Sequence, residues 1–144
     1  MSSEPTPTRS LNILLVEDDP SVQNAVAKIL TKHHHNVRRA WGVESALAAL
    51  AEAPCEVLIS DIGLPDGTGW HLVERAGRAL CPYAIAISGF NSSADVADSE
   101  ASGFQRHLSK PFAAGELIAH VNYMLVEGRL WSEETDGVLR FRTT

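Results

Sequence analysis

The side chains best suited to chemistry in this sequence are acidic, hydroxyl and amino groups that follow short apolar runs of the chain. These groups are Glu17, Asp18 and Asp19 after the first run, and Asp61, Ser88 and Lys110 after later ones. Carboxylates brought close together repel one another unless a cation lies among them, and oxygen ligands favour Mg²⁺. Because no Cys or His follows these runs, zinc is disfavoured. A carboxylate beside Mg²⁺, faced by an ammonium and a hydroxyl, is equipped to attack a phosphoryl group.

These groups meet only if the apolar runs are strands of one sheet. Five such runs alternate with segments of helical periodicity, which predicts βαβ units and a parallel sheet with helices on both faces. The predicted fold class is α/β, a doubly wound, three-layer (βα)5 domain. If its first and third strands are neighbours, as in the flavodoxin-like order 2-1-3-4-5, the first acidic cluster and Asp61 converge on one point. Ligands of such sheets bind at the carboxyl ends of the strands. The predicted strands are Asn12 to Val16, Asn36 to Trp41, Glu56 to Asp61, Tyr83 to Ser88 and Phe104 to Ser109.

The intervening helices carry apolar residues every three or four positions. Asp19 can cap the first helix, and Pro20 suits its first turn. The third helix is predicted from Gly69 to Leu80, and the fourth, within residues 91–102, is expected to be short and mobile because it has few large apolar side chains. The predicted apolar faces are Val22, Ala25, Val26, Ile29 and Leu30 in the first helix, Val43, Ala46, Leu47, Leu50 and Ala51 in the second, and Leu117, Ile118, Val121 and Leu125 in the fifth.

The composition describes one compact domain. The chain has 144 residues and a formal charge of -6 without a basic cluster, which argues against direct binding of nucleic acid. No apolar run approaches the about 20 residues of a membrane-spanning helix, and neither Cys55 nor Cys81 lies in a C-x-x-C motif. We therefore expect a soluble cytoplasmic protein with reduced, buried thiols. Residues 1–10 are expected to be a flexible tail, residues 11–127 the folded domain and residues 128–144 an extension that could add an edge strand.

Four motifs, in this order, resemble the receiver domain of two-component response regulators: LLVEDDP, LISDIGLPDGTG, AISGF and LSKPF. The resemblance covers about residues 11–127. It implies that Asp61 accepts a phosphoryl group and that Glu17 and Asp18 form an acidic pair, with Asp18 as a direct ligand of Mg²⁺. It further implies that the backbone carbonyl of Gly63 contributes to the metal site.

The same resemblance assigns roles at the last two strands. Ser88 would supply the hydroxyl that follows the phosphoryl group on activation, and Lys110 would be the phosphate partner, in a cis bond to Pro111. The family usually places Tyr or Phe three residues before this lysine as a rotameric switch. This chain has His107 there, which could add pH sensitivity because imidazole titrates near neutrality.

The resemblance also implies the partners. The phosphodonor would be a sensor histidine kinase or a histidine phosphotransfer domain. The fourth helix, fifth strand and fifth helix would form the face for a downstream protein or a second copy of the chain. The favoured function is therefore a phosphoacceptor switch rather than an enzyme with turnover.

Three alternatives stay open. A receiver-fold module could work through protein contacts without phosphorylation. A haloacid-dehalogenase-type phosphatase also uses an Asp nucleophile and Mg²⁺, but it needs a second Asp where this chain has Gly63. A flavodoxin-type electron carrier is disfavoured because the first loop is acidic where a phosphate needs donors.

The three consecutive histidines, His33, His34 and His35, suggest a metal site at first sight. Consecutive residues do not face the same way on a helix or a strand, so they cannot readily share one ion. They are predicted instead to form a solvated helix end and loop.

Overall fold

The computed structural model describes residues 10–80, 83–89 and 93–122 of the chain. Within them, the five predicted strands alternate with helices, and a short hairpin that the sequence does not predict lies between the third strand and the third helix. The elements are β1 (Asn12–Val16), α1 (Pro20–Lys32), β2 (Asn36–Ala40), α2 (Val43–Glu52), β3 (Val57–Asp61), β4 (Gly63–Leu64), β5 (Gly67–Thr68), α3 (Gly69–Leu80), β6 (Tyr83–Ser88), α4 (Ser93–Ser102), β7 (Arg106–Ser109) and the described part of α5 (114–122).

The main sheet is parallel and has the order β2-β1-β3-β6-β7. Since β4 and β5 form a separate two-stranded hairpin, β6 and β7 are the predicted fourth and fifth strands. The predicted order 2-1-3-4-5 is therefore confirmed. The register pairs Val16 with Ser60, Asp61 with Ile87 and Ser88 with Ser109, so the carboxyl ends of the four strands lie at one edge.

The element bounds follow the predictions closely. β1, β6 and α3 begin and end at the predicted residues. The last strand is shorter than predicted and starts at Arg106. Trp41, predicted to end the second strand, lies outside β2 and is 51% exposed. α3 contains one non-helical residue, Gly77, whose φ of 76° is readily adopted only by glycine.

Two apolar layers hold the helices against the sheet. β3 and β6 are buried along their whole lengths, as expected for strands covered on both faces. One layer packs α2 and α3 on the sheet, and the other packs α1 and α5. The residues at their centres are Leu14, Leu50, Leu58 and Leu72 in the first layer, and Ile13, Leu30, Ile59, Ile85 and Leu117 in the second.

The predicted apolar face of α1 is correct at Val26 and Leu30 and wrong at Ala25. The buried stripe is Gln23, Val26, Ala27 and Leu30, whereas Ala25 is exposed and Val22 and Ile29 are only partly buried. The reason is that Gln23 is drawn inward by hydrogen bonds to the strand ends, which an apolar pattern does not reveal. In α2, Ala51 is likewise exposed rather than buried. In α5, Leu117 and Val121 are buried as predicted.

The histidine run ends α1 in a Schellman motif. The backbone N–H of His35 donates to the carbonyl of Leu30 (3.1 Å), and that of His34 donates to the carbonyl of Thr31 (2.9 Å). His34 has a φ of 70°, the left-handed conformation that this motif requires. His33 and His34 are exposed, as predicted.

His35 contradicts the prediction of a solvated loop. Its ring is buried, and Nδ1 accepts a hydrogen bond from the backbone N–H of Leu11 (3.1 Å) at the start of β1. Because Nδ1 is the acceptor, the ring is neutral with its proton on Nε2. Burial, followed by the charges of His33 and His34, lowers the pKa of His35.

This buried imidazole makes stability depend on pH. The unfolded chain binds a proton at His35 more readily than the folded chain does. The contribution of His35 to the free energy of unfolding is therefore full above about pH 6.5 and decreases as the pH falls below that value. In His35→Asn, whose side-chain oxygen can replace Nδ1 as the acceptor, this part of the decrease is absent. Urea unfolding of both proteins between pH 8 and pH 5 measures the difference. His71→Asn, at an exposed position on α3, serves as the control and keeps the wild-type slope. Equal slopes for His35→Asn and the wild type would contradict the assignment.

Some predictions concern residues outside the described ranges. These are Cys81, Leu125, nearly all of the predicted tail and the extension 128–144. Cys55 is buried, as predicted. The mobility of α4 stays a prediction. Among the described residues, no helix combines the length and apolar character needed to span a membrane.

Candidate functional site

The carboxyl edge of the sheet gathers four of the predicted side chains. Glu17 directly follows β1, Asp61 ends β3, Ser88 ends β6 and Lys110 directly follows β7. Parallel pairing places the end of β7 beside the end of β6, since Ser109 pairs with Ser88. The backbone N–H of Lys110 then donates to the carbonyl of Ser88 (2.8 Å). Residues separated by up to 93 positions in the chain therefore meet at one place.

A lysine joins two carboxylates at the centre of this edge. Nζ of Lys110 lies 3.1 Å from Oδ2 of Asp61 and 3.2 Å from Oε1 of Glu17. The side chain of Glu17 is 1% exposed and that of Asp61 is 13% exposed, while Lys110 is 28% exposed. The two carboxylates are therefore largely shielded by the protein, and solvent reaches the three side chains mainly at Lys110.

The pKa shifts of Glu17 and Lys110 reflect their burial and their contacts with each other and with Asp61. Burial raises the pKa of Glu17, and the charge of Asp61 raises it further, while the N–H of Asp19 and the ammonium of Lys110 lower it. Burial alone would lower the pKa of Lys110, but its hydrogen bond to Asp61 and the charges of Asp61 and Glu17 raise it overall. The lysine is therefore protonated at neutral pH, and its single charge does not balance the surrounding carboxylates.

Three carboxylates are positioned to share a cation. Glu17, Asp18 and Asp61 each offer one oxygen, and these oxygens lie within 4.8 Å of one another. Asp18 is exposed, whereas the other two are buried. An oxygen-only donor set with one side open to water fits a hard divalent cation better than zinc. The cluster could therefore bind a metal ion.

The backbone around Asp61 is tightly fixed. The hydroxyl of Ser60 donates to the Asp61 carbonyl (2.8 Å), and the N–H of Gly63 points to Oδ1 of Asp61 at 3.4 Å. A Cβ on Gly69 would lie only 2.5 Å from the same carbonyl oxygen, so α3 can begin this close to β3 only with glycine. The carboxylate of Asp61 is thus presented from a rigid strand end.

Comparison with known proteins shows the family of this chain. The family model of the response regulator receiver domain matches residues 13–122. The chain belongs to this family. Receiver domains of this kind are the response regulator components of two-component signal transduction.

The relatives agree with this family. The response regulator receiver protein CpdR of Brucella abortus is 34% identical over 115 residues, which cover 79% of this chain and 96% of CpdR. The transcriptional regulatory protein KdpE of Mycobacterium tuberculosis is 30% identical over 109 residues, which cover 76% of this chain and 48% of KdpE. The chain thus spans about half the length of KdpE.

Solved structures share the fold. A CheY-like receiver domain from Methanospirillum hungatei superposes with a TM-score of 0.77 at 26% identity, over 90% of this chain and all of that one. NtrX from Brucella abortus gives a TM-score of 0.81 at 26% identity, over 93% of this chain and 32% of NtrX. The five-stranded receiver fold is common to all three chains.

The remaining predicted site residues of this receiver domain are Gly63, Ser88 and His107. Ser88 is buried at the end of β6, and Gly63 is exposed beside Asp61. The peptide bond from Lys110 to Pro111 is cis, as the resemblance implied. His107 lies in β7 and is not part of the carboxylate cluster. It lines a depression between α4, β7 and α5 with Val96, Ser99, Glu100, Phe104, Gln105, Arg106 and His120.

Asp66 is a supporting residue that the sequence reasoning missed. Its two carboxylate oxygens accept the N–H groups of Val43 (2.7 Å) and Glu44 (3.0 Å), so a turn shortly after Asp61 caps helix α2. These N–H donors lower the pKa of Asp66. A Cβ on Gly42 would lie 2.6 Å from Oδ1 of Asp66, so this approach requires glycine. No local pattern signals these contacts, because Asp66 lies 23 residues from Val43 and 22 residues from Glu44 in the sequence.

Proposed function

We propose that this receiver domain is a phosphoacceptor whose Asp61 takes up a phosphoryl group in a Mg²⁺-dependent reaction. One observation carries the proposal: at the carboxyl edge of a receiver fold, the Asp61 carboxylate contacts the ammonium of Lys110 at 3.1 Å and lies within an oxygen-only cluster suited to Mg²⁺. A nucleophile and one cationic group are thus in contact, and the carboxylate cluster could hold a second cation.

The reaction is a simple displacement at phosphorus. An oxygen of the ionised Asp61 carboxylate forms a new O–P bond, and the bond between phosphorus and the donor atom breaks. The electron pair leaves with the donor, which is the imidazole nitrogen of a phosphohistidine or the carboxylate oxygen of an acyl phosphate. Lys110 neutralises negative charge on the transferring group and remains protonated throughout.

The other residues of the edge hold and report the modification. Asp18 would be a direct ligand of Mg²⁺, and Glu17, the backbone carbonyl of Gly63 and Asp61 would complete the protein side of the site. When bound, Mg²⁺ would offset charge on the phosphoryl oxygens. Ser88, at the end of the neighbouring strand, would donate its hydroxyl to the acquired phosphoryl group and so couple it to a shift between two conformations.

The partners follow from this chemistry. The donor would be a sensor histidine kinase or a histidine phosphotransfer domain, and the protein would act through contacts rather than turnover. An apolar groove lined by Val22, Ala25, Ile29, Pro111 and Phe112 opens directly beside Lys110, where such a donor must approach.

The face formed by α4, β7 and α5, including the depression around His107, would contact a downstream protein or a second copy. Residues 11–127 would form the complete receiver domain, with 1–10 and 128–144 as appendages.

The test uses the full chain and a small phosphodonor. We expect incubation with acetyl phosphate and Mg²⁺ to add a single phosphoryl group, detected by intact mass, and fragmentation to place it on Asp61. Chelation of Mg²⁺ with EDTA should prevent the addition. Multiple additions, or addition without Mg²⁺, would contradict the proposal.

Two further measurements, of Mg²⁺ binding and of phosphate release from phosphate esters, separate the alternatives. A protein that binds Mg²⁺ but gains no mass would be a receiver-fold interaction module. A protein that releases phosphate continuously from many phosphate esters would be a phosphatase, although Gly63 lacks the acid needed to protonate an ester leaving group.

A further inference from the structure

A buried polar side chain lies next to the carboxylate cluster and has no part in the chemistry above. Gln23, in the first turn of α1, is 1% exposed. Its Nε2 donates to two backbone carbonyls, that of Glu17 at 3.0 Å and that of Ala40 at 3.1 Å. The first follows β1 and the second ends β2, so one amide joins two strand ends to the helix.

An apolar residue would be expected at this position. Gln23 belongs to the same buried stripe as Val26, Ala27 and Leu30, which packs α1 on the sheet. Burying an amide is unfavourable unless its hydrogen bonds are made. Packing alone therefore does not explain a glutamine here, whereas a requirement for two directed donors does.

One acceptor, the carbonyl of Glu17, belongs to the loop that carries the acidic pair, and the other, the carbonyl of Ala40, ends β2. The N–H of Glu17 donates to the carbonyl of Ala40 (3.1 Å), and the backbone N–H of Gln23 donates to the carbonyl of Asp19 (2.9 Å). Gln23 therefore holds this loop from both of its ends. The side chain of Glu17 extends from the same segment toward Lys110, and Asp18 is the next residue.

We propose that Gln23 is a positioning residue of the metal site: by fastening the loop after β1 to the end of β2, it fixes the directions of the Glu17 and Asp18 carboxylates. The inference rests on the proposed Mg²⁺-dependent function. Residues that orient metal ligands without touching the ion typically change metal affinity about 10- to 100-fold when they are replaced.

The test compares Gln23→Met with a packing control in the same stripe. Gln23→Met keeps the length and apolar body of the side chain but removes both donors. Leu30→Val weakens packing two turns further along α1, away from the loop. We expect the Kd for Mg²⁺, measured by calorimetric titration of the folded protein, to rise about 10-fold in Gln23→Met and to stay within about twofold of the wild type in Leu30→Val. The rate of phosphorylation by acetyl phosphate should recover at saturating Mg²⁺.

The outcomes distinguish the inference from the function on which it rests. If the wild type binds no Mg²⁺, the proposed function fails. If the wild type binds and Gln23→Met binds with the same Kd, Gln23 is a packing residue and the inference is overturned. Should Gln23→Met not fold, Gln23→Asn, whose amide stops one methylene short of the carbonyls, should show the same rise in Kd, and an unchanged Kd would overturn the inference equally.

Discussion

Asp61→Asn abolishes phosphoryl uptake from acetyl phosphate, with an expected loss of at least about 10³-fold in rate. The substitution keeps the shape of the side chain and replaces the nucleophilic oxygen pair by an amide, which cannot attack phosphorus at neutral pH. Intact mass after incubation with acetyl phosphate and Mg²⁺ measures the effect. Uptake by the variant at the wild-type rate would place the modification elsewhere.

Unfolding should not explain that loss. In Asp61→Asn, Lys110 keeps its contact with Glu17 at 3.2 Å, and the repulsion between Asp61 and the buried Glu17 is removed. The midpoint of urea unfolding should therefore equal or exceed that of the wild type. Glu74→Gln, which removes an exposed carboxylate on α3, is the matched control and should be phosphorylated at the wild-type rate.

Apolar patterning is sufficient to predict the architecture and the edge of the sheet at which the candidate site lies. Strands buried on both faces are continuous apolar runs, so Tyr83–Ser88 was bounded correctly from its composition. A parallel sheet places all strand ends of one polarity at one edge, which predicts that Asp61 and Lys110 lie at the same edge. These inferences succeed because the apolar composition of a strand and the residue at its end can be read from that short segment alone.

Polar contacts between distant segments were missed for the opposite reason. Gln23 bonds to a carbonyl 17 positions away, and His35 accepts from Leu11, 24 positions away. Each buried polar group is stable only because a partner from another element satisfies it. A single sequence contains no signal that pairs them, and periodicity treats both residues as solvent-facing.

The orientation of α1 shows a further limit. Val22, Ala25 and Ile29 are apolar and helically spaced, yet they are exposed or only partly buried and line the groove beside Lys110. Apolar residues are often found at protein surfaces, so their spacing alone does not decide which stripe faces the core. The structure separates the fully buried stripe from the one that is exposed or only partly buried.

Lys110→Met has the second large effect. We expect phosphorylation by acetyl phosphate to slow on the order of 10²-fold at saturating Mg²⁺, because no other described side chain supplies a cation at 3.1 Å from Asp61. The variant should also lose roughly 1–3 kcal/mol of unfolding free energy at pH 7.5, since Glu17 and Asp61 are left without their counter-ion. The lower end of that range is favoured because Lys110 is 28% exposed to screening solvent.

The pH dependence of that destabilisation has a definite sign. Without Lys110, burial and the charge of Asp61 hold the pKa of Glu17 further above its unfolded value. A carboxyl group whose folded pKa is raised destabilises the protein fully above that pKa, and the cost disappears as the pH falls toward the unfolded value of about 4.3. The stability deficit of Lys110→Met relative to the wild type should therefore shrink between pH 8 and pH 5, as urea unfolding at each pH will measure.

Two further variants separate charge from geometry. Lys110→Arg retains the charge but spreads it over a planar group, so it should restore most of the stability and only part of the phosphorylation rate. Lys28→Met removes an exposed lysine on α1 and should change neither quantity. If Lys110→Met were phosphorylated as fast as the wild type while its stability fell as expected, Lys110 would serve only to hold Glu17 and Asp61 together. Lys110 would then be needed for stability, because it neutralises two adjacent carboxylates, and not for phosphoryl transfer.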